Sequence, residues 1–166
     1  MKDKLKKIKV LFADVDQTLL LLKMYGEEGK RVIGFSDYED WLKFNIFNDA
    51  YINCVAPKGV YNFVKMMHDN GVKVYGLTEA SNSFEYNSKV ESLKRCYKGI
   101  FKHHNDIISI DTRHKKILIM KMIAERDGLQ PDEIAFIDDS YSEVMEAFDA
   151  GFFSMHTTEV MERFKV

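Results

Sequence analysis

The segment Val10–Leu20 reads VLFADVDQTLL, a continuous apolar run that ends in two aspartates at alternate positions, Asp14 and Asp16, with Thr18 two places further on. Val10, Leu11 and Phe12 show no polar side in their alternation, as suits a strand buried on both faces inside a parallel sheet. Side chains alternate along a strand, so Asp14 and Asp16 start on one face and bring two carboxylates toward one spot at the strand's carboxyl end. Ligands in open α/β sheets bind just outside such ends. Close carboxylates resist joint ionisation unless a cation lies between them or one keeps a proton, and both outcomes are usable in phosphoryl chemistry. The same residues would also make a solvated turn in which Thr18 caps the following segment.

The rest of the chain alternates between strand and helix patterns. Leu19–Phe35 has the shape of a β-hairpin, with GEEG at Gly26–Gly29 as its turn. Ser36 and Glu39 form a capping box ahead of an aromatic helix over Asp37–Asn48, which carries Tyr38, Trp41, Leu42, Phe44 and Phe47. Pro57 opens an amphipathic helix with Val60, Phe63, Val64 and Met67 on one face, closed by Asn70-Gly71. A strand at Val72–Thr78, a helix within Ser83–Tyr97 and a weaker strand around Ile107–Ile110 follow. Lys116–Asp127 predicts a helix with Ile119, Met122 and Ile123 on its apolar face and Gly128 at its stop, leading to a strand at Ile134–Asp138. Ser140 and Glu143 form a further capping box, opening a helix that ends at Ala150-Gly151 before a last short strand, Phe152–Met155. This order predicts an α/β fold with a doubly wound parallel sheet and helices on both faces. Irregular sequence is concentrated in one insert, about residues 21–54, placed where it could lie across the aspartate loop as a lid.

A chain of 166 residues accommodates one domain, residues 1–166, with a core large enough to need no staples. Its net charge of −2 and pI near 6.2 argue against general polyanion affinity, so nucleic acid is a poor candidate partner. Met1–Lys9 is lysine-rich but lacks the apolar core and cleavage site of a signal peptide, which makes it a solvated lead-in. No apolar stretch approaches the ~20 residues of a membrane span. A cytoplasmic location is the expectation. Cys54 and Cys96 lack metal-ligand or redox spacing and read as reduced packing thiols. The adjacent His103 and His104 read as a loop or element end rather than a metal site.

Three predicted strands therefore end in reactive groups: Asp14 and Asp16, then Thr78, then Asp138 and Asp139. Lys115 or Lys116 stands at the start of the helix before the last pair. Their joint occurrence at one sheet edge is far more specific than any single motif. In these residues the chain resembles the haloacid dehalogenase (HAD) superfamily, through ADVDQT for the first motif, VYGLT for the second, Lys116 or Lys115 for the third and FIDDS for the fourth. Lys116 keeps the family's usual distance to the Gly128-Leu129 that ends the helix.

The resemblance implies a Rossmann-like HAD core, a β-hairpin flap and a short helical cap insert. It implies Asp14 as a nucleophile that forms an aspartyl phosphate, and Asp16 as the acid and then the base. The phosphate contacts fall to Thr78, Glu79, Lys116 and Lys115, the lysine offsetting the repulsion between carboxylate and phosphate. Mg²⁺ is implied on Asp14, Asp138 and the Asp16 main-chain carbonyl, with Asp139 as a water-mediated partner. The expected activity is that of a Mg²⁺-dependent phosphatase acting on a small phosphorylated metabolite.

Two residues depart from the family pattern. Gln17 stands where a glycine is common, which removes backbone freedom from the loop. Glu79 follows Thr78 where Asn is frequent, placing an extra carboxylate that weakens phosphate binding or selects a cationic substrate group. A receiver domain collects similar residues in a different chain order, and a true dehalogenase has no use for Asp16. The alternatives are a non-catalytic HAD-like protein that binds a ligand or partner, and a phosphotransferase of the same family. Trp41, Phe44 and Phe47 are expected to bury the insert's own helix rather than stack on substrate.

Overall fold

The computed structural model of the chain describes residues 2–23, 35–110 and 116–165. Five strands, β1 (Val10–Asp14), β2 (Lys73–Glu79), β3 (Ile107–Ile110), β4 (Ile134–Asp138) and β5 (Phe153–His156), form one sheet in the order β3-β2-β1-β4-β5. Every pairing is parallel. The chain winds outward from β1 through β2 to β3, then crosses back to lay β4 and β5 on the other side. That reversal makes β1 and β4 neighbours, and a parallel sheet opens a crevice at such a switch point. Ala13 pairs with Ile137, so the next residues along the two strands, Asp14 and Asp138, stand level.

Alternation along the strands divides the core in two. Leu11, Ala13, Ala135 and Ile137 belong to one apolar cluster, together with Val60, Phe63, Val64 and Met67 of α3 (Lys58–Asp69), Val90 and Leu93 of α4 (Ser83–Cys96), and Val160 of α7 (Thr157–Arg163). Val10, Phe12, Ile134 and Phe136 point to the opposite face, where they meet Ile117, Met120 and Ile123 of α5 (Lys116–Asp127) and Ala147 of α6 (Tyr141–Asp149). The sheet is covered on both faces, as its unbroken apolar strands require. Among the described residues no helix is long and apolar enough to cross a membrane.

Several local expectations are revised. The buried face of α5 is Ile117, Met120, Ile123 and Ala124, while Met122 is 64% exposed. Both stripes have helical spacing, and only the seat of the helix on the sheet chooses between them. The insert helix α2 (Tyr38–Asn48) is capped by Asp37, which accepts from the Asp40 amide, in place of Ser36. Ser140 precedes α6 without a side-chain cap. Its amide instead donates to Asp138 Oδ1 at 2.7 Å. The lysine-rich lead-in forms a short helix, α1 (Lys2–Leu5), and is tethered through Lys7 to Asp132 and Lys9 to Glu133. Cys54 and Cys96 are free thiols, and His103 stands at the N-cap of a single helical turn.

The turn and return strand of the expected hairpin lie outside the described residues. Leu21 pairs with Val55 through two main-chain hydrogen bonds of 2.8 and 3.1 Å, bringing together the two ends of the insert. In α2 only Asn45 is buried; Trp41 and Phe44 pack around Phe35, and Phe47 is 83% exposed.

Helix α7 has no counterpart in the sequence-based reading. It seats directly on α3, with the Phe63 and Phe164 rings 4.8 Å apart and Asn62 donating to the Phe164 carbonyl at 2.8 Å. The approach depends on Gly59, where a Cβ would fall 2.6 Å from the Met161 Cα and carbonyl oxygen. Backbone cannot rotate aside as a side chain can, so Gly59→Ala should lose about 1–3 kcal/mol of stability in urea unfolding.

Candidate active site

The level pair at the switch point is closed by a lysine. Asp14 and Asp138 follow the parity of Phe12 and Phe136, toward the face covered by α5, whose first residue is Lys116. The Lys116 ammonium donates to Asp14 Oδ1 at 2.6 Å and to Asp138 Oδ2 at 2.8 Å, and all three residues are buried. Burial pushes the Asp14 carboxyl well above the ordinary aspartate value; Lys116 pulls it down, and the charges of Asp138 and Asp16 raise it again. Burial alone would lower the Lys116 ammonium, but Asp14 and Asp138 hold it above the usual lysine range. Asp139 is raised by its partial burial and by the charge of Asp138.

These groups line a cavity of about 390 Å³ that contains Asp14, Asp16, Glu79, Asp138, Asp139 and Glu143 against Lys116. Among the described residues, the carboxylates that line this cavity outnumber the one ammonium that faces them. One carboxylate oxygen each from Asp14, Asp138 and Asp139 lies within 4.8 Å of the others. Such a set of hard oxygens fits a divalent cation that keeps several of its waters. Lys115, the alternative lysine, lies outside the described residues.

Asp16 takes a different partner. It lies beyond the end of β1, in a tight loop where Leu19 and Leu20 donate back to the Asp14 and Val15 carbonyls and Gln17 donates to Leu20. Gln17 has φ 58°, the left-handed conformation that glycine adopts without strain. The turn carries the Asp16 carboxylate to α4, on the opposite face from Lys116. Lys89 donates to Asp16 Oδ2 at 2.7 Å, and the Tyr51 hydroxyl donates to Oδ1 at 2.8 Å. Lys89 also pairs with Glu85 at 2.9 Å, meets the Thr78 hydroxyl at 3.0 Å and donates to the Glu79 carbonyl. The two aspartates thus line one cavity but take different counter-ions.

Thr78 is fully buried at the end of β2, and its hydroxyl is within 3.0 Å of the Glu79 carbonyl and 3.4 Å of Asp16 Oδ2. It is not among the residues lining the acidic cavity. Glu79 lines that cavity, and its Oε1 is buried with no hydrogen-bond partner among the described residues. Thr18 is buried against the Thr157 hydroxyl at 2.8 Å, which ties the aspartate loop to α7.

No protein-family model and no curated protein matches the sequence. Solved structures do match its fold. A 3-deoxy-D-manno-octulosonate 8-phosphate phosphatase from Moraxella catarrhalis, in complex with magnesium, phosphate and the sugar acid, aligns over 92% of this chain and 70% of its own at 19% identity and TM-score 0.52. A putative β-phosphoglucomutase from Bacteroides vulgatus aligns over 94% and 80% at 13% identity and TM-score 0.58. A HAD family enzyme from Bacteroides thetaiotaomicron, in a magnesium complex, aligns over 90% and 93% at 15% identity and TM-score 0.52. The chain shares the fold of these structures. Against others of these structures it spans about two thirds of the neighbour's length.

Within this fold, the Lys89, Glu85 and Tyr51 cluster is absent from the sequence-based reading. Glu85 and Lys89 stand four residues apart on α4, a spacing that more often marks a solvated helix pair. Here the lysine side chain is 2% exposed. Burial works against its charge, and Asp16 and Glu85 hold it above the usual lysine value. Burial would likewise raise the Glu85 carboxyl, but Lys89 brings it below the ordinary glutamate range. This pair therefore stabilises the fold above the usual glutamate pKa, and its contribution fades on acidification through the lowered folded value.

Lys89→Met leaves a buried carboxylate unpaired and should cost about 3–5 kcal/mol in chemical denaturation, partly recovered when Glu85→Gln is added. At position 17, a β-branched residue is incompatible with the left-handed turn: Gln17→Val should lose about 1–2 kcal/mol in the same measurement, whereas Gln17→Gly should be neutral or stabilising. A divalent cation should raise the melting temperature of the parent by an amount that grows with concentration, through linkage worth about 2.7 kcal/mol at a hundredfold excess over Kd. Asp138→Asn should abolish that shift.

Proposed function

We propose that the chain is a Mg²⁺-dependent phosphatase that hydrolyses a small phosphomonoester through an aspartyl-phosphate intermediate. The observation that carries this reading is the buried Lys116 held between the level carboxylates of Asp14 and Asp138 at the sheet's switch point. Asp14, Asp138 and Asp139 would hold the metal, with the Asp16 main-chain carbonyl as a further donor, and the ion would supply charge neutralisation for an incoming phosphate. The folds of a magnesium-bound and phosphate-bound phosphatase and of a magnesium-bound HAD enzyme are in keeping with it.

An Asp14 carboxylate oxygen attacks phosphorus; the bond from phosphorus to the ester oxygen breaks, and the departing alkoxide takes a proton from Asp16. Asp16 then removes a proton from water as that water attacks the phosphorus of the aspartyl phosphate, which releases inorganic phosphate and restores Asp14. Lys116 lowers the repulsion between the Asp14 carboxylate and the phosphate and steadies charge in the transition state. Lys89 and Tyr51 fix both oxygens of Asp16, so its orientation is set before substrate arrives. Thr78 supports the same carboxylate from below.

Hydrolysis of p-nitrophenyl phosphate should require Mg²⁺, stop on chelation and resume when the ion is restored. Asp14→Asn should reduce the rate by about a thousandfold or more while leaving the fold intact by circular dichroism. Equal rates in variant and parent would remove Asp14 as nucleophile and favour a binding protein that retains the fold.

A further inference from the structure

A second cavity, of about 510 Å³, adjoins the acidic one, and Asp16 and Glu79 belong to the walls of both. Building on the phosphatase reading, we propose that this second cavity receives the alcohol portion of the phosphoester, and that this portion carries an alkylammonium group held between Trp41 and Glu79. In the proposed reaction the ester oxygen leaves beside Asp16. Whatever is attached to that oxygen continues past Asp16 into the neighbouring space, whose far side is formed by Tyr38, Trp41 and Tyr51 of the insert.

Three features of this space select a cation. Its insert wall is aromatic, with Trp41 and Tyr51 set edge to face at 6.4 Å and 86°. Aromatic walls attract ammonium groups through the ring quadrupole. The protein already uses this attraction there, because the Lys89 ammonium stands 5.3 Å from the centre of the Tyr51 ring. That leaves Trp41 and Tyr38 as aromatic surface for a ligand.

Charge points the same way. Among the described residues the adjoining cavity sets Asp14, Asp16, Glu79, Asp138 and Asp139 against Lys116, so their surplus stays negative after a divalent ion and a phosphate dianion have cancelled one another. Lys89 does not reverse this surplus, since it is paired with both Asp16 and Glu85. A leaving group bearing a carboxylate or a second phosphate would be repelled, and a cationic one drawn in.

The third feature is Glu79. Its carbonyl accepts from Lys89 and Thr78, yet its side-chain Oε1 is buried with no hydrogen-bond partner among the described residues. A buried carboxylate oxygen left without a counter-charge is unfavourable, and a cation brought against it offsets that charge. Only an ammonium group both uses the rings and offsets the carboxylate.

The test compares phosphocholine with neohexyl phosphate, its uncharged carbon isostere, using p-nitrophenyl phosphate as reference, on the full chain with Mg²⁺. Phosphocholine should show a kcat/KM higher by about tenfold or more. Trp41 is the only tryptophan in the chain, so its fluorescence reports on this cavity directly. It should respond to choline and not to neohexanol. Glu79→Gln should bring the ratio of the two esters toward one, and Trp41→Leu should do the same if the first variant folds poorly.

Turnover of the reference ester without preference for phosphocholine overturns the cation pocket and leaves the phosphatase reading standing. A preference that survives both substitutions also overturns it. A Trp41 response to choline with no turnover of any ester overturns the phosphatase reading and supports the pocket. Absence of both signals overturns the two together.

Discussion

Carboxylates crowded at one end of a parallel sheet repel one another, and the structure depends on two buried ammonium groups that are driven between them. Lys116 enters from α5 on one face, and Lys89 enters from α4 on the other. Neither lysine has an exposed escape, so each is held by its anions as firmly as it holds them. The doubly wound architecture makes this arrangement available, because only helices on both faces present side chains to the same sheet edge from opposite directions.

This geometry divides two aspartates that lie two residues apart in the chain. Asp14 still belongs to β1 and follows strand parity toward Lys116. Asp16 lies past the strand end, in a loop bent by the left-handed Gln17, and reaches Lys89 and Tyr51 instead. The separation matters for the proposed chemistry, since a nucleophile and a proton carrier need different surroundings. It also places Asp16 at the junction of two cavities, one lined by acids and the other bounded by aromatic rings from the insert. Insert and core therefore meet at Asp16, and Trp41 takes part in a cavity wall as well as packing around Phe35.

Much of the fold was legible because its signals are local. An apolar run ending in acids marks a buried strand end wherever it occurs, and β1, β2 and β4 each carry such a boundary. Helix boundaries at Pro57, Gly128 and Gly151 follow from backbone chemistry that needs no partner. The buried stripe of α5 was misread because Ile119, Met122 and Ile123 fit a helical face as well as Ile117, Met120 and Ile123 do. The thirteen atoms of a hydrogen-bonded turn carry no record of which side the sheet occupies. Helix α7 escaped notice for a related reason: its stability comes from Gly59, Asn62 and Phe63 on α3, about a hundred residues away.

By itself, the amino-acid sequence determined the order of the five sheet strands and of helices α2 to α6, the acids at the ends of β1 and β4, and the presence of a lysine ahead of the final acidic strand. These are properties of short segments, written in apolar periodicity and in residues with strong backbone preferences. Tertiary structure alone decided which lysine meets which aspartate, that Tyr51 and Glu85 join Asp16 and Lys89, and that Thr78 turns toward Asp16. Those choices rest on contacts between residues tens of positions apart, whose energies exist only when desolvation brings the charges together. A glutamate and lysine four apart on a helix look alike in water and in a core; burial is what turns Lys89 from a surface charge into part of the site.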